Sequence, residues 1–161
     1  MSKPKKFPEQ QQSQPGDQFK MNPEPEIIRD NYKGSEKLKG KCALITGGDS
    51  GIGRSVAVHF AREGADVLIS YLEEEQDAKE TAKYIEKAGK KAVLVKGDIS
   101  EEAHCKKIIE QAVSEFGQID ILVNNAGKQV HIESILDLST EQLEKTYATN
   151  IFAMFWLTKA A

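Results

Sequence analysis

The chain has 161 residues, 29% of them charged and 39% hydrophobic, with a formal net charge of −3. That length suits one domain with a proper core plus a tail. The absence of a basic excess argues against nucleic acid as a partner, and no stretch reaches the roughly 20 apolar residues of a membrane span.

Residues 1–39 hold the prolines of the chain together with Gln10, Gln11, Gln12 and Gln14, and show almost no apolar periodicity. Such a segment buries too little surface to offset its chain entropy, and it reads as a flexible polar tail. Ile27, Ile28, Tyr32 and Leu38 are its only apolar anchors, so its second half is expected to lie across the domain and its first half to stay mobile. The basic cluster Lys3, Lys5, Lys6 reads as solvated tail. Nothing here resembles the apolar core of a signal peptide, and a cytoplasmic location is expected. Cys42 and Cys105 form no C-x-x-C pair and read as reduced, small apolar side chains.

From residue 40 to 161 short apolar runs alternate with helical patterns. Strands are predicted at 41–46, Asp66–Tyr71, Ala92–Lys96 and 119–124, each near-continuously apolar as in a sheet covered on both faces. The first helical pattern covers 55–62 and carries Val56 and Phe60 toward the core. Ala78, Ala82 and Ile85 make the next stripe, ending at Gly89; Ile108, Ile109, Ala112, Val113 and Phe116 make the third, ending at Gly117. Ser100 reads as the N-cap of that third helix, and Ser139 with Gln142 as a capping box for a fourth. Regular β-α alternation means an α/β fold with a parallel sheet and right-handed crossovers.

The most informative stretch lies between the first strand and first helix, where residues 46–53 read T-G-G-D-S-G-I-G. Three glycines alone make a surface turn. Placed between a strand and a helix N-terminus, Gly47, Gly51 and Gly53 clear the approach of a phosphate to unsatisfied N–H groups. A second motif, Asn124-Asn125-Ala126-Gly127, closes the fourth strand and by itself reads as a strand-end turn. His59, His104 and His131 lie on separate elements without ligand spacing, and no metal is expected.

Together the T-G-x-x-x-G-x-G spacing and N-N-A-G resemble the short-chain dehydrogenase/reductase family over about residues 41–161, and the T-G-x-x-G-x-x-G spacing of extended epimerases does not fit. The lead-in Leu38-Lys39-Gly40-Lys41 looks like its general stress protein branch, with glucose, ribitol or aldehyde dehydrogenases. The resemblance implies a Rossmann-type doubly wound sheet, here its first four strands with their helices. It assigns pyrophosphate contact to Gly47, Gly51, Gly53 and the backbone of Ile52; adenine contact to Asp98 and Ile99; sheet support to Asn124; and the nicotinamide ribose passage to Ala126 and Gly127. Asn150 matches one member of the family's catalytic tetrad, where a local helix distortion holds a water of the proton relay. From its position on a stripe with Leu143, Tyr147 and Met154, the blander alternative for Asn150 is a buried amide that fixes helix register.

The family's acid/base pair is a Tyr with Lys four residues on. Here Tyr32, Tyr71, Tyr84 and Tyr147 are followed at that distance by Glu36, Glu75, Ala88 and Ile151. The sequence is therefore expected to be a C-terminally incomplete copy, inactive by itself. Tyr71 stands where a NAD-preferring member shows Asp, and Ser50 where an NADP-preferring one often shows a cation. Glu73, Glu74 and Glu75 disfavour a 2′-phosphate, so of NAD and NADP the sequence leans to NAD. The resemblance implies hydride transfer with a small alcohol or carbonyl partner, in a homo-oligomer when intact. The alternative is a non-catalytic dinucleotide-binding or interaction fragment.

Overall fold

The computed structural model describes residues 8–12 and 18–161. The cluster Lys3, Lys5, Lys6 and Gln14 fall outside these. Four strands, β1 (Cys42–Thr46), β2 (Asp66–Tyr71), β3 (Ala92–Lys96) and β4 (Ile121–Val123), form one parallel sheet in the order β3-β2-β1-β4. The helices are α1 (Gly51–Arg62), α2 (Glu75–Lys87), α3 (Glu102–Phe116), α4 (Thr140–Tyr147) and α5 (Ala153–Ala160), the last two joined by a π-helical turn, Ala148–Phe152.

Alternation along β1 sends Leu44 to one face and Ile45 to the other, and each meets its own helices. Leu44, Leu68, Val93 and Val95 pack with Ile108 and Ile109 of α3 and Ala153 and Leu157 of α5. On the opposite face Ile45, Val67 and Ile69 pack with Ala57 and Ala61 of α1 and Ile85 of α2. Both faces are covered, which is why the strands are apolar throughout.

Several boundaries and stripes differ from the sequence expectation. β4 is shorter than 119–124; ahead of it the Asp120 N–H still donates to the Cys42 carbonyl at 2.9 Å, while the Asp120 carboxylate accepts from the Cys42 N–H and from Lys41 Nζ, both at 2.8 Å. α1 begins at Gly51, four residues before the expected start, and buries Ala57, Val58 and Ala61 while Val56 and Phe60 are only half-buried. Val113 is 47% exposed; Cys105 completes the α3 stripe in its place. Ser100 is not the cap of α3. Its N–H donates to the Asp98 carboxylate at 2.9 Å, a turn that moves the helix start past it and leaves Glu101 as the N-cap residue. The capping box at Ser139 and Gln142 is formed in full.

The second half of the tail is laid along α1. Ser55 Oγ donates to the Ile27 carbonyl at 3.2 Å, and the Tyr32 ring meets His59 edge-on at 4.9 Å. Glu63 at the far end accepts from the Tyr32 hydroxyl, from the Ser35 N–H at 2.9 Å and from the Lys37 N–H at 3.2 Å. Those bonds to its charged form pull the Glu63 carboxyl down to about 2, the Tyr32 hydroxyl first among them.

Candidate functional site

Chain direction reverses its build at β1: β2 and β3 are added on one side of it, β4 on the other. In open parallel sheets a crevice forms at the carboxyl ends of the strands at such a point. Here it is a cleft of about 670 Å³ that draws lining residues from the ends of all four strands and from α4 and the π turn.

The glycine turn forms the cleft's floor. Gly47 has φ +62°, and a Cβ there would stand 3.1 Å from Ala126 Cα and 3.1 Å from Asn125 Nδ2. Gly53 packs more tightly, since its Cβ would fall 1.9 Å from the Gly47 carbonyl oxygen. Gly51, at φ +53°, has open space where a Cβ would point. The first bond closing α1 runs from the Arg54 N–H to the Ser50 carbonyl at 3.0 Å, so the N–H groups of Gly51, Ile52 and Gly53 have no acceptor within the helix. A helix N-terminus reached over side-chain-free backbone suits an anion, and these residues fit a dinucleotide pyrophosphate.

Two networks hold this turn. On the β4 side Thr46 Oγ1 accepts from the N–H groups of both Asn125 and Ala126 at 3.1 Å. Asn125 Nδ2 in turn donates to the carbonyls of Thr46 and Gly47 at 3.0 Å. On the α2 side Arg54, fully buried, donates from Nε to the Asp49 carbonyl at 2.8 Å and from Nη2 to Asp77 Oδ1 at 2.8 Å. Thr81 Oγ1 donates to the same Asp49 carbonyl at 2.9 Å. The turn is therefore pinned at both shoulders.

Eight predicted residues line the cleft: Gly47, Ser50, Tyr71, Asp98, Ile99, Ala126, Gly127 and Asn150. Gly51, Ile52 and Gly53 form the first turn of α1 and do not line it; Ile52 is 78% exposed. Asn124 also stands outside it, with Nδ2 near Thr158 Oγ1 at 3.5 Å, and the sheet-steadying contacts expected of it are made by Asn125. Asn150 sits in the π turn, where its Oδ1 accepts from the Lys128 N–H and its Nδ2 donates to the Lys128 carbonyl, both at 2.8 Å. Leu143, Tyr147 and Met154 are exposed and do not bury it. The wider π turn shifts the phase of the helix, so 150 no longer continues the 143–147 stripe.

Asp49 is the lining residue the sequence reading passed over. It is 6% exposed beside Tyr71 and Glu74, and burial pushes its carboxyl above the usual range. Thr46, Asn125 and Arg54 were missed as well. The sign of Arg54 was a charge placed on the buried face of α1, three residues before Ala57. Among the described residues no group of three His, Cys, Asp or Glu is placed to hold a metal, and no helix is long and apolar enough to cross a membrane.

A family model described as short chain dehydrogenase matches residues 41–161. General stress protein 39 of Bacillus subtilis is 54% identical over 98% of this chain and 56% of its own length. The glucose and ribitol dehydrogenase of Daucus carota is 44% identical over 96% of this chain and 55% of its own. Among solved structures, a short chain dehydrogenase from Burkholderia cenocepacia in complex with NADP superposes with a TM-score of 0.74 at 35% identity, covering 77% of this chain and 50% of that one. The chain thus spans about half the length of the curated relatives it matches. The sheet order, the glycine turn under the cleft and these matches agree: the chain belongs to the short-chain dehydrogenase family.

Proposed function

We propose that this chain is the dinucleotide-binding part of an oxidoreductase that transfers hydride between NAD(P) and a small alcohol or carbonyl, with NAD preferred. The observation that carries the reading is the cleft at the carboxyl ends of the four strands with the glycine turn as its floor. When bound, the nicotinamide supplies the hydride chemistry. The protein's own part is to grip and orient. The N–H groups of the first turn of α1 hold the pyrophosphate, and Gly47, Gly51 and Gly53 leave it room. Asp98 and Ile99 hold the adenine, while Ala126 and Gly127 border the nicotinamide ribose. Asn150 ties the π turn to the Lys128 backbone and so sets the wall of that end.

The NAD preference rests on the β2–β3 side of the cleft, where Asp49, Glu74 and Asp98 stand and, among the described residues, no Lys or Arg does. A 2′-phosphate there meets like charge in a partly desolvated place. One similar structure was solved with NADP; the NAD preference proposed for this chain rests only on its acidic lining. No Tyr of the 161 residues has Lys four positions on, and the chain as given binds cofactor without turnover. The same reading carries a cytoplasmic homo-oligomer as the setting of the intact enzyme.

Titration calorimetry of the purified chain with NAD and NADP tests it. Binding of NAD, weaker binding of NADP and no substrate-dependent change in NADH absorbance are expected. Failure to bind either dinucleotide would overturn the reading.

A further inference from the structure

We propose that Gln18 is a positioning residue of the dinucleotide site, delivered by the N-terminal arm as the cap of α1. The proposal rests on the dinucleotide reading above. Ser50 occupies the N-cap position of α1 in extended conformation but makes no side-chain cap bond. The acceptor comes instead from 33 residues upstream: Gln18 Oε1 takes the Gly51 N–H at 2.6 Å. Gln18 is only 4% exposed, and its own N–H donates to Asp77 Oδ2 at 3.1 Å.

Asp77 thereby joins two systems. Its Oδ2 fixes the arm and its Oδ1 fixes Arg54, which holds the Asp49 carbonyl. Gln18 thus closes a ring of hydrogen bonds around the outer side of the glycine turn. From there the arm continues down α1 through Ile27, Tyr32 and Ser35, so the placement of Gln18 belongs to a docked segment.

Neither Gln18 nor Gly51 lines the cleft. Gln18 already takes the Gly51 N–H, so of the three first-turn N–H groups without an acceptor in the helix those of Ile52 and Gly53 are left for the pyrophosphate. Losing an N-cap acceptor lowers the population of the cap geometry, and ligand affinity falls with the competent fraction. That fall concerns ligands gripped through phosphate and spares those gripped through the base alone.

The test measures NAD, ADP and adenosine binding by calorimetry on the whole chain and on Gln18→Ala and Gln18→Met. Met restores bulk with only a weak thioether acceptor in place of the amide oxygen. Both variants should weaken NAD and ADP about five-fold, the scale of one lost cap, with adenosine unchanged and far-UV circular dichroism retained. Wild-type affinity in either variant, equal loss for adenosine, or tighter NAD binding would overturn the proposal, the last by showing that the arm competes with the phosphate. If the wild-type chain binds no NAD, the dinucleotide reading fails with it; if it binds NAD and the variants match it, only the role of Gln18 fails.

Discussion

Arg54 and Asp77 pair at 2.8 Å with both side chains wholly buried, and the pair carries the turn above it through the Asp49 carbonyl. Removing one partner of a buried pair leaves the other charge uncompensated. Arg54→Met is expected to cost about 3–5 kcal/mol in urea unfolding. The double variant Arg54→Met/Asp77→Asn should cost less than the sum of the two single variants, because they share one interaction. A loss below about 1 kcal/mol for Arg54→Met, the scale of an exposed pair, would contradict the role given to it.

Gly51 and Gly53 are separated by one residue and should respond differently. Gly53→Ala drives a Cβ into the Gly47 carbonyl, so the turn must open, at about 1–3 kcal/mol of stability, and dinucleotide binding should be lost. Gly51→Ala meets no atom and bears only the left-handed backbone, about 1–2 kcal/mol. Calorimetry and unfolding on the pair decide it, and equal behaviour would show that close packing is not what Gly53 provides.

Asp49→Asn removes a charge beside the proposed 2′-position. NADP affinity should rise about ten-fold relative to NAD, which corresponds to ~1.4 kcal/mol. Because burial raises the Asp49 carboxyl, the wild type loses this charge at a higher pH than an ordinary Asp, and discrimination against NADP should narrow on acidification. An unchanged NADP to NAD ratio in Asp49→Asn would remove Asp49 from cofactor choice.

Glu63 anchors the arm in its charged form. Its folded value near 2 lies below the ordinary 4.5, so its contribution is complete above 4.5 and is lost as pH falls through about 2. At neutral pH Glu63→Gln should mimic that loss. Amide exchange at Ser35 and Lys37 should quicken while that of the β1 core is unchanged; protected amides there would show that the arm docks without it.

Much of this was legible in the sequence because it depends on local pattern. Val67, Leu68 and Ile69 are apolar because both faces of β2 are covered, and Ser139 with Gln142 specifies its own cap. The glycine turn was readable for the same reason. What escaped were contacts between residues far apart in the chain: Gln18 with Gly51, Arg54 with Asp77, Thr46 with Asn125. The bonds of Asn125 to Thr46 and Gly47 were not legible either, since only the sheet order says which side of the β4 end meets β1. Asn150 was found as a residue, but its partner Lys128 required the fold.

The two flanks of the cleft carry opposite signs, with Asp49, Glu74 and Asp98 on the β2–β3 side and Lys128 and Lys145 on the β4 side. A cleft so polarised exerts a torque as well as an attraction on an elongated ion. A molecule with unequal charge at its two ends is turned to one heading while still in solvent, so orientation is settled in the encounter before any contact forms. Added salt, by shortening the reach of that field to about 8 Å at physiological strength, would slow productive arrival more than it weakens the final complex.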